Sequence, residues 1–220
     1  MIFAKIDFIN LLPFYVFIKK NIKSSQIKQI INYKKSYPSK INNQFSKRKI
    51  DAAFISSIAS RGKLSIDLGI VAKKEVMSVL LLDNKQSKDD YQSQTSNALA
   101  KVLNTNGEVL IGDKALKYFY SNKNKDFIDL SKLWNDRYKL PFVFALLSYN
   151  NHKKYLTKLS NKFKQSKVKI PMYILNKYCK KTNLTQTQIK NYLDLISYDI
   201  GYKEKQSLKL FFKLLKEKGL

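Results

Sequence analysis

Apolar and polar positions along this chain alternate between two rhythms. Residues 2 to 9 read as a short strand, and 12 to 20 as a helix that begins at Pro13. A second strand is predicted over 27 to 34 through Ile27, Ile30, Ile31 and Tyr33, then a helix over 38 to 48 with Pro38 and Ser39 at its start. IDAAFIS (50 to 56) is a short buried strand; 66 to 72 and 75 to 82 are further strands, the second with Ser78 as a polar residue in its interior. The spacing then predicts a helix over 96 to 103, a strand over 109 to 112, a helix over 113 to 120 and a strand over 141 to 149. From 152 onward the pattern is helical, LDLISYDI included, and the amphipathic SLKLFFKLLKEK closes the chain. Strands alternating with helices imply an α/β fold with a largely parallel sheet.

Composition narrows the function classes. A chain of 220 residues with 44% hydrophobic content buries one full core or two small lobes. The apolar run KIDFINLLPFYVFIKK is short and broken by Pro13, and no small-residue cleavage site follows it, so neither a secretory signal nor a membrane span is expected and the protein is placed in the cytoplasm. Cys179 and His152 are the only residues of their kinds, which argues against a disulfide and a multi-cysteine or His-rich metal site, and no cofactor-ligand cluster is visible in the sequence. The net charge of +26 invites a nucleic-acid reading, but the basic residues are almost all lysines, with arginine only at Arg48, Arg61 and Arg137. Sequence-reading proteins lean on bidentate arginine. Lysines spread over the whole chain read as solvated faces that attract a small polyanion and are compatible with weak RNA binding too; the favoured partner is a small-molecule substrate, with no nucleic acid and no membrane.

Polar residues recur where predicted strands end and helices begin. Asn10 precedes a helix, Ser56 and Ser57 end IDAAFI, Ser93, Thr95 and Ser96 open the helix carrying Ala98 to Leu103, and Asp113 follows VLIG. Beyond the carboxyl ends of strands, helix N-termini present unpaired N–H groups to anions. Singly, each residue is an ordinary helix cap. Ser78 inside EVMSVLLL is different, because a hydroxyl in an apolar strand needs a partner or a cleft to face.

Taken in order, IDFINLLP, PSKINNQFSKRKIDAAFISS, GIVAKKEVMSVLLL, DYQSQTSNALAKVL, VLIGDKAL, DLSKLWNDRYKLPFVFAL and ISYDIG closely resemble the chorismate dehydratase family of the futalosine route to menaquinone, over about residues 3 to 215. The resemblance implies a two-lobed type 2 periplasmic-binding-protein-like fold working as an enzyme, a hydro-lyase that removes water from chorismate to give 3-[(1-carboxyvinyl)oxy]benzoate. It places Asn10 and Ser78 in the pocket as the catalytic pair, Ser93, Thr95 and Ser96 in the carboxylate cradle of the second lobe, and Ser56 as a further contact. Asp113 joins them as a binding residue and rival base. Two other classes stay open: a cytoplasmic small-anion binding protein of the same fold without catalysis, and a lysine-rich nucleic-acid binder.

Longer members carry an extra strand and helix where this chain has only NTNGE between KVL and VLIGD, so the second lobe is expected to be reduced. The lobes are drawn as 1–83, 84–148, and a C-terminal segment, 149–220, returning to lobe one. The matched motifs offer Asn, Ser and Thr but no evident base. Either the enolpyruvyl carboxylate of the substrate takes the proton, or Asp113 does. Trp134 and the phenylalanines at 142 and 144 are expected in the core, His152 exposed, and Cys179 buried as a small hydrophobe. The sequence assigns no oligomeric state.

Overall fold

The computed structural model describes residues 1–22, 24–26, 29, 34–83, 86–122 and 126–220. In chain order the elements are β1 (Phe3–Ile6), a 3-10 turn at Ile9–Leu11, α1 (Leu12–Asn21), β2 (Lys35–Ser36), α2 (Pro38–Ser46), β3 (Ala52–Ser56), α3 (Ser57–Ser60), β4 (Ser65–Ala72) and β5 (Val79–Leu82). There follow α4 (Gln94–Val102), β6 (Glu108–Ile111), α5 (Gly112–Ser121), β7 (Ile128–Asp129), α6 (Leu130–Tyr138) and β8 (Phe142–Tyr149). The last are α7 (Lys153–Gln165), α8 (Met172–Thr182), α9 (Gln186–Asp194), β9 (Ile196–Asp199) and α10 (Tyr202–Glu217). The strand expected over 27 to 34 falls mostly outside the described residues; of that stretch only Gln29 and Lys34 are described, neither in a strand. Among the described residues no helix is long and apolar enough to cross a membrane.

Two sheets form. The larger has the order β2-β1-β3-β8-β4-β9 and the smaller β6-β5-β7. The largely parallel sheet expected from the alternation is not what is found. β1 pairs parallel with β2 and β3, but β8 lies antiparallel between β3 and β4, β9 runs antiparallel on β4, and the small sheet is antiparallel throughout. The cause is connectivity: the chain leaves the large sheet at the end of β4, builds the small one, and re-enters beside the point where it left, so β8 runs back along β4 antiparallel, Ala72 facing Phe142. All five β3 residues are buried and β8 covers that strand along its full length, from Ala52↔Tyr149 to Ser56↔Ala145. At Gly69 a Cβ would stand 2.5 Å from the Ala145 carbonyl, so this residue lets β4 approach β8 where their register shifts.

Val79–Leu82 belong to the small sheet and Phe142–Tyr149 to the large one, so the chain passes between the sheets at about 73–78 and 139–141. LDLISYDI, expected as helix, contains β9, because Ile196, Ser197 and Asp199 find partners on the open edge of β4 at Ala72, Val71 and Leu68. Tertiary pairing overrode a helical context. Trp134 is fully buried against Phe142 and Phe211, and its Nε1 donates to Ser207 Oγ at 3.1 Å. His152 is exposed; Cys179 is half-buried at the core's edge.

Candidate active site

Between the sheets lies a cleft of about 620 Å³ of empty space, its open mouth included. Its walls are mainly apolar, with Phe8, Phe54, Ile111 and Phe144 among them. Asn10, Ser56, Ser78, Ser93 and Ser96 line it too. Among the described residues no Asp, Glu, Lys, Arg or His does. The N-terminal ends of α2, at Pro38, α4, at Ser93 and Ser96, and α5, at Gly112, all reach the cleft, so positive dipole ends and hydroxyls meet there without a charged side chain.

Local structure sets each group. Asn10 sits in the 3-10 turn after β1 because Pro13 starts α1 immediately beyond it. Ser78 is not inside a strand as expected: β5 begins at Val79, and Ser78 follows Met77, whose φ is 56°. That turn is held by Asp129, whose carboxylate accepts from the backbone N–H groups of Val76 (2.8 Å) and Met77 (2.7 Å) while capping α6 through those of Ser131 and Lys132. Gly112, at φ 61°, donates its N–H to the Ser78 carbonyl at 2.8 Å, and a Cβ there would meet the Phe8 ring at 2.9 Å.

Three cavity hydroxyls share one arrangement. Ser78 Oγ accepts from the Tyr192 hydroxyl at 3.0 Å, Ser56 Oγ from Asn42 Nδ2 at 2.8 Å, and Ser96 Oγ from Ser93 Oγ at 2.8 Å. Ser93 in turn caps α4 by accepting from the Ser96 N–H, and Asn42 Oδ1 accepts from the Ser56 N–H. A hydroxyl carries one proton. In each case the partner occupies a lone pair, and among the described residues no protein acceptor takes the proton, which is left for the cavity. Asn10 Oδ1 is likewise buried with no protein partner, while the Asn10 carbonyl accepts from the Tyr198 hydroxyl at 2.6 Å.

Thr95 and Asp113 do not line the cleft. Buried Thr95 Oγ1 accepts from the Ile58 N–H at 3.2 Å and so joins α4 to α3. Asp113 Oδ1 accepts from the Ile9 N–H at 3.3 Å and Oδ2 from Lys181 Nζ at 3.1 Å. Burial pushes the Asp113 carboxyl up, an effect the Lys181 charge opposes. Lys181 also reaches Asp7 Oδ2 at 3.3 Å, and Asp7 is paired with Lys35 at 2.6 Å and accepts from the Tyr178 hydroxyl at 2.7 Å. Burial works against the Asp7 carboxylate, but the bonds from Lys35 and Tyr178 and the charges of Lys181 and Lys5 outweigh it and hold its pKa well below the usual range. These contacts tie the small-sheet half to the large-sheet half around the cleft.

The supporting residues Asn42, Tyr192 and Tyr198 were not singled out from sequence. Asn42 carried one signal: it lies between Ile41 and Phe45 on the buried face of α2. Tyr192 and Tyr198 look like any core aromatic.

A family model for menaquinone biosynthesis matches residues 1–107 and 89–217. A Campylobacter jejuni protein named chorismate dehydratase is 46% identical over 223 residues, covering all of both chains. The chain belongs to this menaquinone-biosynthesis family. The two chains align end to end, so a second half of this length is shared with that relative. A solved Archaeoglobus fulgidus protein superposes with a TM-score of 0.67 at 13% identity, covering 99% of this chain and 97% of its own. A Parabacteroides distasonis structure described as an ABC transporter gives 0.54 at 16%, covering 98% and 91%. Both likenesses concern the fold alone. With the two sheets and the paired crossings, the family member has the two-lobed, periplasmic-binding-protein-like α/β architecture.

Proposed function

We propose that this chain removes water from chorismate to give 3-[(1-carboxyvinyl)oxy]benzoate, acting as a carbon-oxygen hydro-lyase in menaquinone biosynthesis. The observation that carries the reading is the set of three serine hydroxyls whose protons are left for a cleft that, among the described residues, no charged side chain lines. Chorismate is a dianion, and hydroxyl donors with helix N-termini bind carboxylates without a competing salt bridge.

The chemistry follows from the substrate. The ring hydrogen next to the departing hydroxyl is conjugated through a double bond to the ring carboxylate, so removing it spreads charge onto that carboxylate. Donors already aimed there, Ser96 backed by Ser93 from one half and Ser56 from the other, stabilise the charge as it develops. The electron pair then forms the last double bond of the aromatic ring while the hydroxyl leaves with a proton as water. Among the described residues no side chain lining the cleft is a base at neutral pH, and the Asp113 carboxylate is engaged by Ile9 and Lys181 behind it. This supports the enolpyruvyl carboxylate as the proton acceptor, held over the ring by Asn10, with Ser78 donating to the departing oxygen.

The test is purified protein mixed with chorismate, with the product read by mass and absorbance. A product one water lighter and aromatic is expected. Unchanged chorismate accompanied by a rise in Tm would replace the enzyme with a small-anion binding protein.

A further inference from the structure

We propose that Tyr192 is a positioning residue for this reaction, fixing the direction in which Ser78 donates its proton. The inference deepens the dehydratase reading and rests on it. Tyr192 lies on α9, outside both sheets, is 1% exposed, and places its hydroxyl 3.0 Å from Ser78 Oγ, 114 residues away in sequence. The Asn10 side chain approaches the same phenol oxygen. Tyr192 and Ser78 therefore form one directional pair, phenol to serine and serine to cavity. Burial holds the phenol pKa well above its usual value, so the group stays a donor at working pH.

Without that hydroxyl, Ser78 can rotate its proton toward any protein acceptor, and the donor aimed at the departing oxygen is lost. The next residues extend the device. Tyr198 on β9 holds the Asn10 carbonyl at 2.6 Å, so both catalytic candidates are fastened by phenols from one stretch, NYLDLISY. Neither phenol is on the cavity wall, so both act through Asn10 and Ser78 and not on the substrate.

The experiment is a double-mutant cycle of Tyr192→Phe and Ser78→Ala, with kcat, KM and Tm measured for each variant on chorismate. Tyr192→Phe keeps the ring and should lower kcat about tenfold to a hundredfold, as for a lost bond to a charged transition state. KM should move less than about threefold, because the ground-state contacts stay. On the Ser78→Ala background the same change should cost nothing further. An unchanged kcat, or an equal loss in both backgrounds, overturns the proposal, since a merely structural tyrosine would lower activity independently of Ser78. Should Tyr192→Phe not fold, 3-fluorotyrosine at 192 replaces it. The stronger donor should shift kcat at least about twofold with KM and Tm held, and an unmoved kcat overturns the role. Wild-type protein inert toward chorismate would sink the functional reading and this one together, whereas active wild type with a normal Tyr192→Phe sinks only this one.

Discussion

Replacing Asp113 by Asn separates a carboxylate that takes the substrate's proton from one that holds the two halves of the cleft together. The amide keeps an oxygen for the Ile9 N–H, 3.3 Å away, and loses only the charge facing Lys181 at 3.1 Å. The Lys181 side chain is 44% exposed and has Asp7 as a second partner, so solvent screening limits the loss to about 0.2–1 kcal/mol. In rate or affinity that is less than about tenfold. Stability should change little for a second reason: burial already disfavours the ionised carboxyl at this position, and an amide does not bear that penalty. Steady-state kcat and KM on chorismate at neutral pH, with a melting curve for each protein, make the assay. We expect kcat within about tenfold of wild type, the larger part of the effect in KM, and Tm within a few degrees. A kcat lower by about a thousandfold or more in a protein that melts normally would refute the reasoning and make Asp113 the base.

Asn42→Ala releases both bonds that clamp Ser56, and kcat/KM should fall about tenfold as its hydroxyl loses direction; an unchanged value would remove Ser56 from the cradle. Gly112→Ala forces a side chain into positive φ against the Phe8 ring, so Tm should drop by several degrees and KM rise, as followed by melting and kinetics. Asp7→Asn tests the network beside the cleft. Its folded pKa is depressed, so the stability it contributes is present above the unfolded value of about 3.9 and is lost as pH falls toward the folded one. The Tm gap between wild type and Asp7→Asn should be roughly 5 °C near neutrality and close as pH drops below about 4. A gap that is constant with pH would contradict it.

Much of the local structure was written in the chain. Pro13 and Pro38 mark the starts of α1 and α2, the Ser93 cap opens α4, and the apolar run at Ala52–Ser56 becomes a fully buried strand, because φ restriction, capping and period act over a few residues. Ordered motifs also pointed to the family, and with it to Asn10, Ser56, Ser78, Ser93 and Ser96, all of which line one cleft. Other features depended on contacts that no window of sequence contains. The antiparallel return of β8, and β9 on the edge of β4, came from strands seeking unpaired partners across 70 residues and more. Ser78 sits on a turn because a carboxylate 51 residues later, Asp129, captures the two N–H groups before it. Thr95 and Asp113 look like ligand contacts in the sequence, yet in the fold they brace the halves of the cleft. The residue types along the chain determined which groups can donate a proton. Which way each donates was decided only by folding, because a hydroxyl has no fixed direction until a distant partner such as Tyr192 or Asn42 occupies its lone pair.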